Sequence, residues 1–349
     1  MPTITPQELK QKIDAGEQLL VLDVREPFEY DDWHIPDSIN IPVSNFMHHP
    51  LPQIPKDKEI VAVCAHGMRS EAARRILAAV GYNVSSMQGG MVEWNGIYDI
   101  IEINENVIQV RRIGKGCLSY IIKSGNEAIV IDPTIDIDIY IEAAEKANTR
   151  IISVIDTHAH ADHASGGRMF AAKGITYCAP QEVGRAQHVK DGDVIRFGSS
   201  SISAITAPGH TPGSLCYRFG KFIFTGDTLF VDGVGRPDLG QDSGKAAPIL
   251  YDTVQKLLTL SDDTTVLPAH AEIEKIQPQV PIKETMDEIR QLDALKKSRD
   301  EFVRWMAAFN RPAPNNFEII KEYNTGLIRI DDISEFRELE AGANRCAVK

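Results

Sequence analysis

No stretch of this 349-residue chain reaches 18 uninterrupted apolar residues, about the length a helix needs to cross a bilayer, so no membrane-spanning helix is expected. Positive charge is in short supply. The 37 Lys and Arg residues are outnumbered by 49 Asp and Glu, for a formal net charge of -12. A surface of that sign has no basic field with which to meet a nucleic acid or an anionic membrane, and neither partner is expected. An anionic small substrate would need a local cationic pocket. Cysteine is sparse too. Cys64, Cys117, Cys178, Cys216 and Cys346 are odd in number and scattered, which describes no disulfide framework. Most of them read as small buried hydrophobes, and position must decide whether one is reactive. The opening "MPTITPQELKQKID" has neither the basic-then-apolar pattern of a signal peptide nor the Arg-rich look of a transit peptide, which predicts a cytoplasmic location. Internal repeats and low-complexity segments are also missing.

What is there is the composition of an ordinary globular protein, 43% hydrophobic and 25% charged, at a length that predicts two domains. The apolar runs "EQLLVLDV" and "EIVAVC" alternate with the helical stretches "TPQELKQKIDAG" and "RSEAARRILAAVGY". Both helices end at a glycine, as a C-terminal cap would. This predicts a small α/β domain on a mostly parallel sheet over residues 1–98. A linker is expected at 99–104. From there "VIQVRRIG", "CLSYIIKSG" and "EAIVIDP" read as strands of a largely antiparallel sheet in a second domain, 105–275. Residues 276–349 are expected to be a helical extension packed on that domain, with a helical pattern from Pro281 to Asn310.

Three of the ten histidines fall in "THAHADH", Thr157 to His163, straight after the apolar run "RIISVID". Other apolar runs end in the same way: "AITAPGH" at His210, "FIFTGD" at Asp227 and "TVLPAH" at His270. Four strand ends that each deliver an imidazole or a carboxylate make a metal-site constellation. A surface-loop role suits His48, His49 and His188, but not this set.

The order T-H-x-H-x-D-H, P-G-H, G-D-T, P-x-H resembles the metallo-β-lactamase fold superfamily over roughly residues 105 to 275, which implies an α+β αββα sandwich with the metal site at one sheet edge. The segment "GDTLFVDGVGRPDLG", with "GKGCLSY" and "ANRC", is similar to the persulfide dioxygenases related to the ethylmalonic encephalopathy protein. That resemblance implies one mononuclear Fe(II) per chain held by His158, His210 and Asp227, a set that leaves coordination positions open for two reactants. The same resemblance makes His160, Asp162, His163, His270 and Asp238 residues that orient the ligands by hydrogen bonds, or ligands of a second metal. Arg236 is the candidate anchor for an anionic substrate, or else pins its loop through Asp238. All residues of a two-zinc site are present, so a Zn(II) pair remains the alternative.

In the first domain, "VAVCAHGMRSEAARRIL" places Cys64 at a strand end before a tight loop and a helix. Inward backbone N–H groups and the helix N-terminus favour a thiolate or a persulfide anion there, and Arg69 adds a full charge at the mouth. With "LDVREPFEYDDWHIPDSINIP" and "MQGGMVEW", residues 1–98 resemble a rhodanese domain, a sulfurtransferase that carries sulfur as a cysteine persulfide. Four residues separate Cys64 from Arg69, a smaller ring than related phosphatases use. Asp23 and Arg25 are expected to hold the loop and the sheet.

Together the resemblances imply a persulfide dioxygenase–sulfurtransferase fusion. It would oxidise a low-molecular-weight thiol persulfide, such as glutathione persulfide, to sulfite, with Cys64 exchanging sulfur with thiosulfate or sulfite. A homo-oligomer is implied by the same resemblance. Cys117, Cys178 and Cys216 are expected in the core, although a cysteine beside the iron could bind persulfide. The rivals are a two-zinc thioester hydrolase of the glyoxalase II type and a non-enzymatic sulfur-relay protein.

Overall fold

A computed structural model describes residues 2–48, 54–239, 242–309 and 312–349. His49 and Asn310 lie outside the described residues. The chain divides into two compact units. One comprises Met1–Ile97, Arg112–Lys115 and Ala341–Ala343, the other Tyr98–Arg111, Gly116–Glu340 and Asn344–Lys349.

The first unit is built on a five-stranded sheet of β1 (Thr3–Ile4), β2 (Leu19–Asp23), β3 (Ile39–Asn40), β4 (Glu59–Val63) and β5 (Val84–Met87), in the order β1-β5-β4-β2-β3. Every pair is parallel, because a helical segment returns the chain between strands. The helix Pro6–Asp14 starts where Thr5 accepts from the Glu8 amide and the Glu8 carboxylate takes the Thr5 amide, a reciprocal cap that satisfies two orphan donors. Leu22, Ile60, Ala62, Ala73 and Leu77 close the core around Cys64.

The second unit contains two sheets. The first runs β12-β11-β10-β9-β8-β7-β6, built from β6 (Tyr98–Asn104), β7 (Val107–Arg112), β8 (Cys117–Ser124), β9 (Glu127–Ile131), β10 (Arg150–Ile155), β11 (Thr176–Ala179) and β12 (Gln187–His188). The second consists of β13 (Val194–Phe197), β14 (Ser200–Thr206), β15 (Leu215–Phe219), β16 (Phe222–Gly226), β18 (Thr265–Pro268) and β19 (Glu284–Thr285). A short ribbon pairs β17 (Val234–Gly235) with β20 (Ala347–Val348).

Side-chain alternation makes the layers. Leu118, Tyr120, Ile122, Ile129 and Ile131 point into the space between the sheets, where they meet Leu215, Tyr217, Phe222, Phe224 and Leu267. The intervening Ile121, Ala128 and Val130 face the helices Ile137–Lys146 and Gly167–Ala172 through Tyr140 and Phe170. On the far side, Cys216, Ile223 and Val266 meet Leu250, Val254, Phe302 and Met306 of the helices Ser243–Leu257 and Arg299–Ala308. The period of two thus writes a four-layer helix–sheet–sheet–helix sandwich. Each fully buried aliphatic side chain contributes about 1.5–3 kcal/mol relative to exposure.

Three expectations are corrected. Residues 99–104 are no linker, since they lie in edge strand β6. The second unit is less antiparallel than expected: β9, β10, β11 and β12 are mutually parallel, the helices Ile137–Lys146 and Gly167–Ala172 acting as crossovers between β9, β10 and β11. His188 is exposed on edge strand β12 instead of a loop. Beyond residue 276, Met286, Ile289, Leu295, Phe302 and Met306 complete the apolar layer over the second sheet, and Tyr323 and Phe336 pack with Ile135 and Ala164.

Candidate functional site

Four strands of the second unit end beside one another. The chain leaves β10 into Asp156–His163, β14 into His210, β16 into Asp227 and β18 into His270. Gly226, with φ +52°, lets β16 turn against Thr157, where an added Cβ would stand 2.5 Å from Thr157 Oγ1. His158, His160, Asp162, His163, His210, Asp227 and His270 are all buried. Burying so many ionisable groups is unfavourable unless they pair with one another or with a cation.

His158, His210 and Asp227 each aim one donor atom at a common point. Asp227 Oδ2 lies 3.7 Å from His158 Nε2 and 3.7 Å from His210 Nε2, and the three donors are mutually within 4.8 Å. His158 Nε2 and Asp227 Oδ2 have no hydrogen-bond partner despite full burial. Burial pushes His158 well below the ordinary histidine value and lowers His210 as well, which keeps the imidazoles neutral with lone pairs available. Burial would raise Asp227, but the charge and hydrogen bond of His270 override it and hold the carboxylate ionised. An orphaned imidazole nitrogen and an orphaned carboxylate oxygen, with a second imidazole beside them, suit a single divalent metal ion.

Two contacts orient the imidazoles. His210 Nδ1 lies 2.8 Å from the Arg236 carbonyl, so it donates there and carries its lone pair on Nε2, the atom facing Asp227. His158 Nδ1 is 2.9 Å from Thr157 Oγ1. The His160 ring lies 4.1 Å from that of His158 but belongs to another ligand group. Its Nε2 is 3.2 Å from Asp132 Oδ1, and it groups with Asp132 and Asp156. Asp162, His163 and His270 form a neighbouring cluster with Cys117, whose Sγ is 3.7 Å from both Asp162 Oδ2 and His163 Nδ1. Burial opposes ionisation of Cys117, yet His163 and His270 bring its thiol down to about 7.

Cys117 therefore differs from the other core cysteines. Cys178 and Cys216 sit in apolar clusters and are raised by burial, Cys216 to about 12. Cys346 joins Asp227 and His270 in a further group of possible ligands. Its thiol is pushed well up, chiefly by burial. Sequence reasoning placed Cys117 in the core. The only local sign of more was its position at the mouth of β8, in "GKGC", where it bridges to His270.

Arg236 and Asp238 turn out to be a pair. Arg236 is 2% exposed, and its guanidinium forks onto Asp238 at 2.6 and 2.7 Å. It also donates to the carbonyls of Pro312 and Arg345 and lies over the Phe309 ring. Asp238, expected to orient a ligand or to hold a second metal, belongs to none of the ligand clusters among the described residues.

In the first unit Cys64 follows β4 and is 1% exposed. Its Sγ accepts the Gly67 amide at 3.1 Å, and Ser70 Oγ lies 3.5 Å away. The helix begins at Met68. Gly90, with φ +64°, lets the next helix approach so closely that an added Cβ would stand 2.2 Å from the Cys64 carbonyl. Arg69 is not a free charge at the mouth: it forks onto Glu29 at 2.6 and 2.7 Å. This hydrogen-bonded pairing lowers Glu29 and raises Arg69. Asp23 and Arg25 form a buried ion pair at 2.6 Å, and Arg25 also donates to the Trp33 carbonyl.

These folds and sites define a class: a metallo-beta-lactamase-superfamily domain, matched over residues 112–177 and 175–270, preceded by a rhodanese-like domain, matched over residues 5–97. The chain is 31% identical over 206 residues to the mitochondrial persulfide dioxygenase ETHE1 of Homo sapiens, an alignment covering 56% of this chain and 77% of that one. It belongs to the persulfide dioxygenase family. The crystal structure of ETHE1 from Myxococcus xanthus superposes with a TM-score of 0.55 at 26% identity, covering 66% of this chain and 99% of that one. A probable polyketide biosynthesis zinc-dependent hydrolase of Bacillus subtilis is 29% identical over 178 residues, covering 47% of this chain and 77% of its own.

Proposed function

We propose that the protein oxidises a low-molecular-weight thiol persulfide, of the glutathione persulfide type, at one Fe(II) held by His158, His210 and Asp227. The overall reaction balances as RSSH + O2 + H2O → RSH + SO3²⁻ + 2H⁺. Bound iron would supply a common site at which a persulfide sulfur and O2 exchange electrons. The carrying observation is the convergence of His158 Nε2, His210 Nε2 and Asp227 Oδ2, two of them orphaned, on one buried point.

The chain's own residues prepare that point. His270 takes Asp227 Oδ1 and leaves Oδ2 to the metal. The Arg236 carbonyl selects the His210 tautomer. Burial excludes water, so each electrostatic contact is stronger than it would be in solvent. In the other unit, we assign Cys64 the exchange Cys–S⁻ + S2O3²⁻ → Cys–S–S⁻ + SO3²⁻, in which the Gly67 amide stabilises the sulfur anion. The same reading gives a cytoplasmic homo-oligomer, which light scattering on the purified protein tests.

A specific observation favours one second reading. Cys117, Asp162, His163 and His270 offer four buried donors within 4.8 Å, enough to hold a second cation, as a two-zinc hydrolase of the glyoxalase II type would. Quantifying iron and zinc while following O2 uptake on glutathione persulfide separates the two. About one iron per chain with stoichiometric sulfite supports the dioxygenase. Two zinc ions, no O2 uptake and thioester cleavage overturn it.

A further inference from the structure

The loop that carries His158 contains buried backbone polar groups outside the named strands, and such groups need partners. At its start, Asp132 accepts from the Thr157 amide at 2.7 Å and from Thr157 Oγ1 at 2.9 Å. At its far end the partners come from the C-terminal segment. Asn324, 3% exposed, donates through Nδ2 to the carbonyls of His160 and His163, both at 2.8 Å. Its Oδ1 accepts from the Ser165 amide at 2.9 Å. Glu340, fully buried, accepts from the Ala164 amide at 2.6 Å.

We infer that Asn324 and Glu340 are positioning residues of the metal centre, a clamp that sets the course of the loop from His158 to Ser165. Three partners of two kinds fix the Asn324 amide, since reversing it would put an oxygen against two carbonyls. The residues that bring the clamp into place are apolar. Tyr323 precedes Asn324 in the helix Phe317–Thr325, and Phe336 lies in the helix Ile333–Leu339, which ends next to Glu340. The two rings meet edge to face at 4.5 Å and pack with Ile135 and Ala164. Ala164 is thus held by both its side chain and its amide. The inference rests on the assignment of His158 as a ligand, because a clamp on this loop acts on the metal only through the loop's own donors.

The test uses the full chain and Co(II) alone as the probe, whose affinity is read by chelator competition and whose visible absorption reports ligand geometry. His158→Ala serves as the control for the ligand assignment. Asn324→Asp keeps the acceptor for Ser165 but turns an oxygen toward two carbonyls, and Glu340→Ala removes the acceptor for Ala164. Both should bind Co(II) about ten-fold or more weakly, as disturbed outer-shell partners do, with an altered visible spectrum. Glu340→Gln retains an acceptor oxygen and should restore wild-type affinity. Wild-type affinity and spectrum in Asn324→Asp and Glu340→Ala overturn the clamp, even if the melting temperature falls, while His158→Ala still loses the metal. If Asn324→Asp does not fold, the Glu340 pair decides. If His158→Ala binds Co(II) like wild type, the ligand assignment fails, and the clamp fails with it.

Discussion

His270 takes one oxygen of Asp227 and leaves the other: its Nδ1 lies 2.6 Å from Oδ1, while Oδ2 has no hydrogen-bond partner. On its other side His270 Nε2 is 2.9 Å from Asp162 Oδ2, an ion-pair contact without hydrogen-bond geometry, so one imidazole stands between two buried carboxylates and fixes the rotation of Asp227 through Nδ1. Two changes of different kind are therefore expected. Asp227→Ala removes the only carboxylate of the triad and should abolish metal retention and O2 uptake. His270→Ala frees a ligand it did not replace, and should weaken metal binding by about 10–100-fold. Cyanide-dependent sulfur transfer from thiosulfate should survive in both, since Cys64 belongs to the other unit. An iron-replete, active Asp227→Ala protein would remove Asp227 from the ligand set.

Cys64→Ser tests the first unit alone. A serine hydroxyl cannot form a persulfide, so thiosulfate sulfurtransferase activity should fall to background. Oxidation of a free small-molecule persulfide should stay within about two-fold of wild type, because no ligand of the triad is touched. Collapse of both activities would make the two sites one obligatory relay.

The triad was readable because its residues close apolar runs, and a residue that ends a central strand has few places to go except the sheet edge. The αββα layering was readable for a similar reason, since alternation along β8, β9, β15 and β16 assigns each side chain to a face. Strand direction in the second unit was not, because alternation carries no information about which way a neighbour runs. Cys117 reaches Asp162 and His163 from 45 and 46 residues away. Asn324 reaches the His160 carbonyl from 164. An asparagine near the end of an amphipathic helix looks like any other polar residue until the loop it grips is in view.

Arg236 shows how a charge can be misplaced by reasoning from net charge. The acidic chain needs a cation for an anionic substrate, and Arg236 lies beside the metal loop, but Asp238 and two carbonyls occupy its fork. Arg236→Ala should therefore cost about 2–4 kcal/mol of stability by breaking a pair whose guanidinium is buried, and Asp238→Ala a comparable amount, since the buried guanidinium loses its carboxylate and keeps the carbonyls of Pro312 and Arg345. Both should lower the melting temperature of the second unit by several degrees and weaken metal retention through His210. Substrate anchoring predicts the opposite pattern, a raised KM with metal content and melting temperature unchanged. Measuring all three quantities on both variants chooses.

The pairing of Glu29 with Arg69 sets an acid limit on the first unit. Hydrogen bonding from Arg69 holds Glu29 below its ordinary value of 4.5, so the unfolded chain takes up a proton at higher pH than the folded one. The stability this supplies is fully present above about pH 4.5 and is lost as pH falls through the lower folded value. With side chains 32% and 22% exposed, solvent screening keeps the contribution to about 0.5–1 kcal/mol. Glu29→Gln cannot ionise, so its deficit in melting temperature against wild type should be constant from pH 7 to 5 and shrink below 4.5. The same variant relieves Arg69 of its carboxylate. The guanidinium is then available to a dianion at the loop mouth, and the KM for thiosulfate should fall while persulfide oxidation in the other unit is unchanged. A deficit that persists undiminished at pH 3.5 would show that Glu29 supports the loop by shape instead of charge.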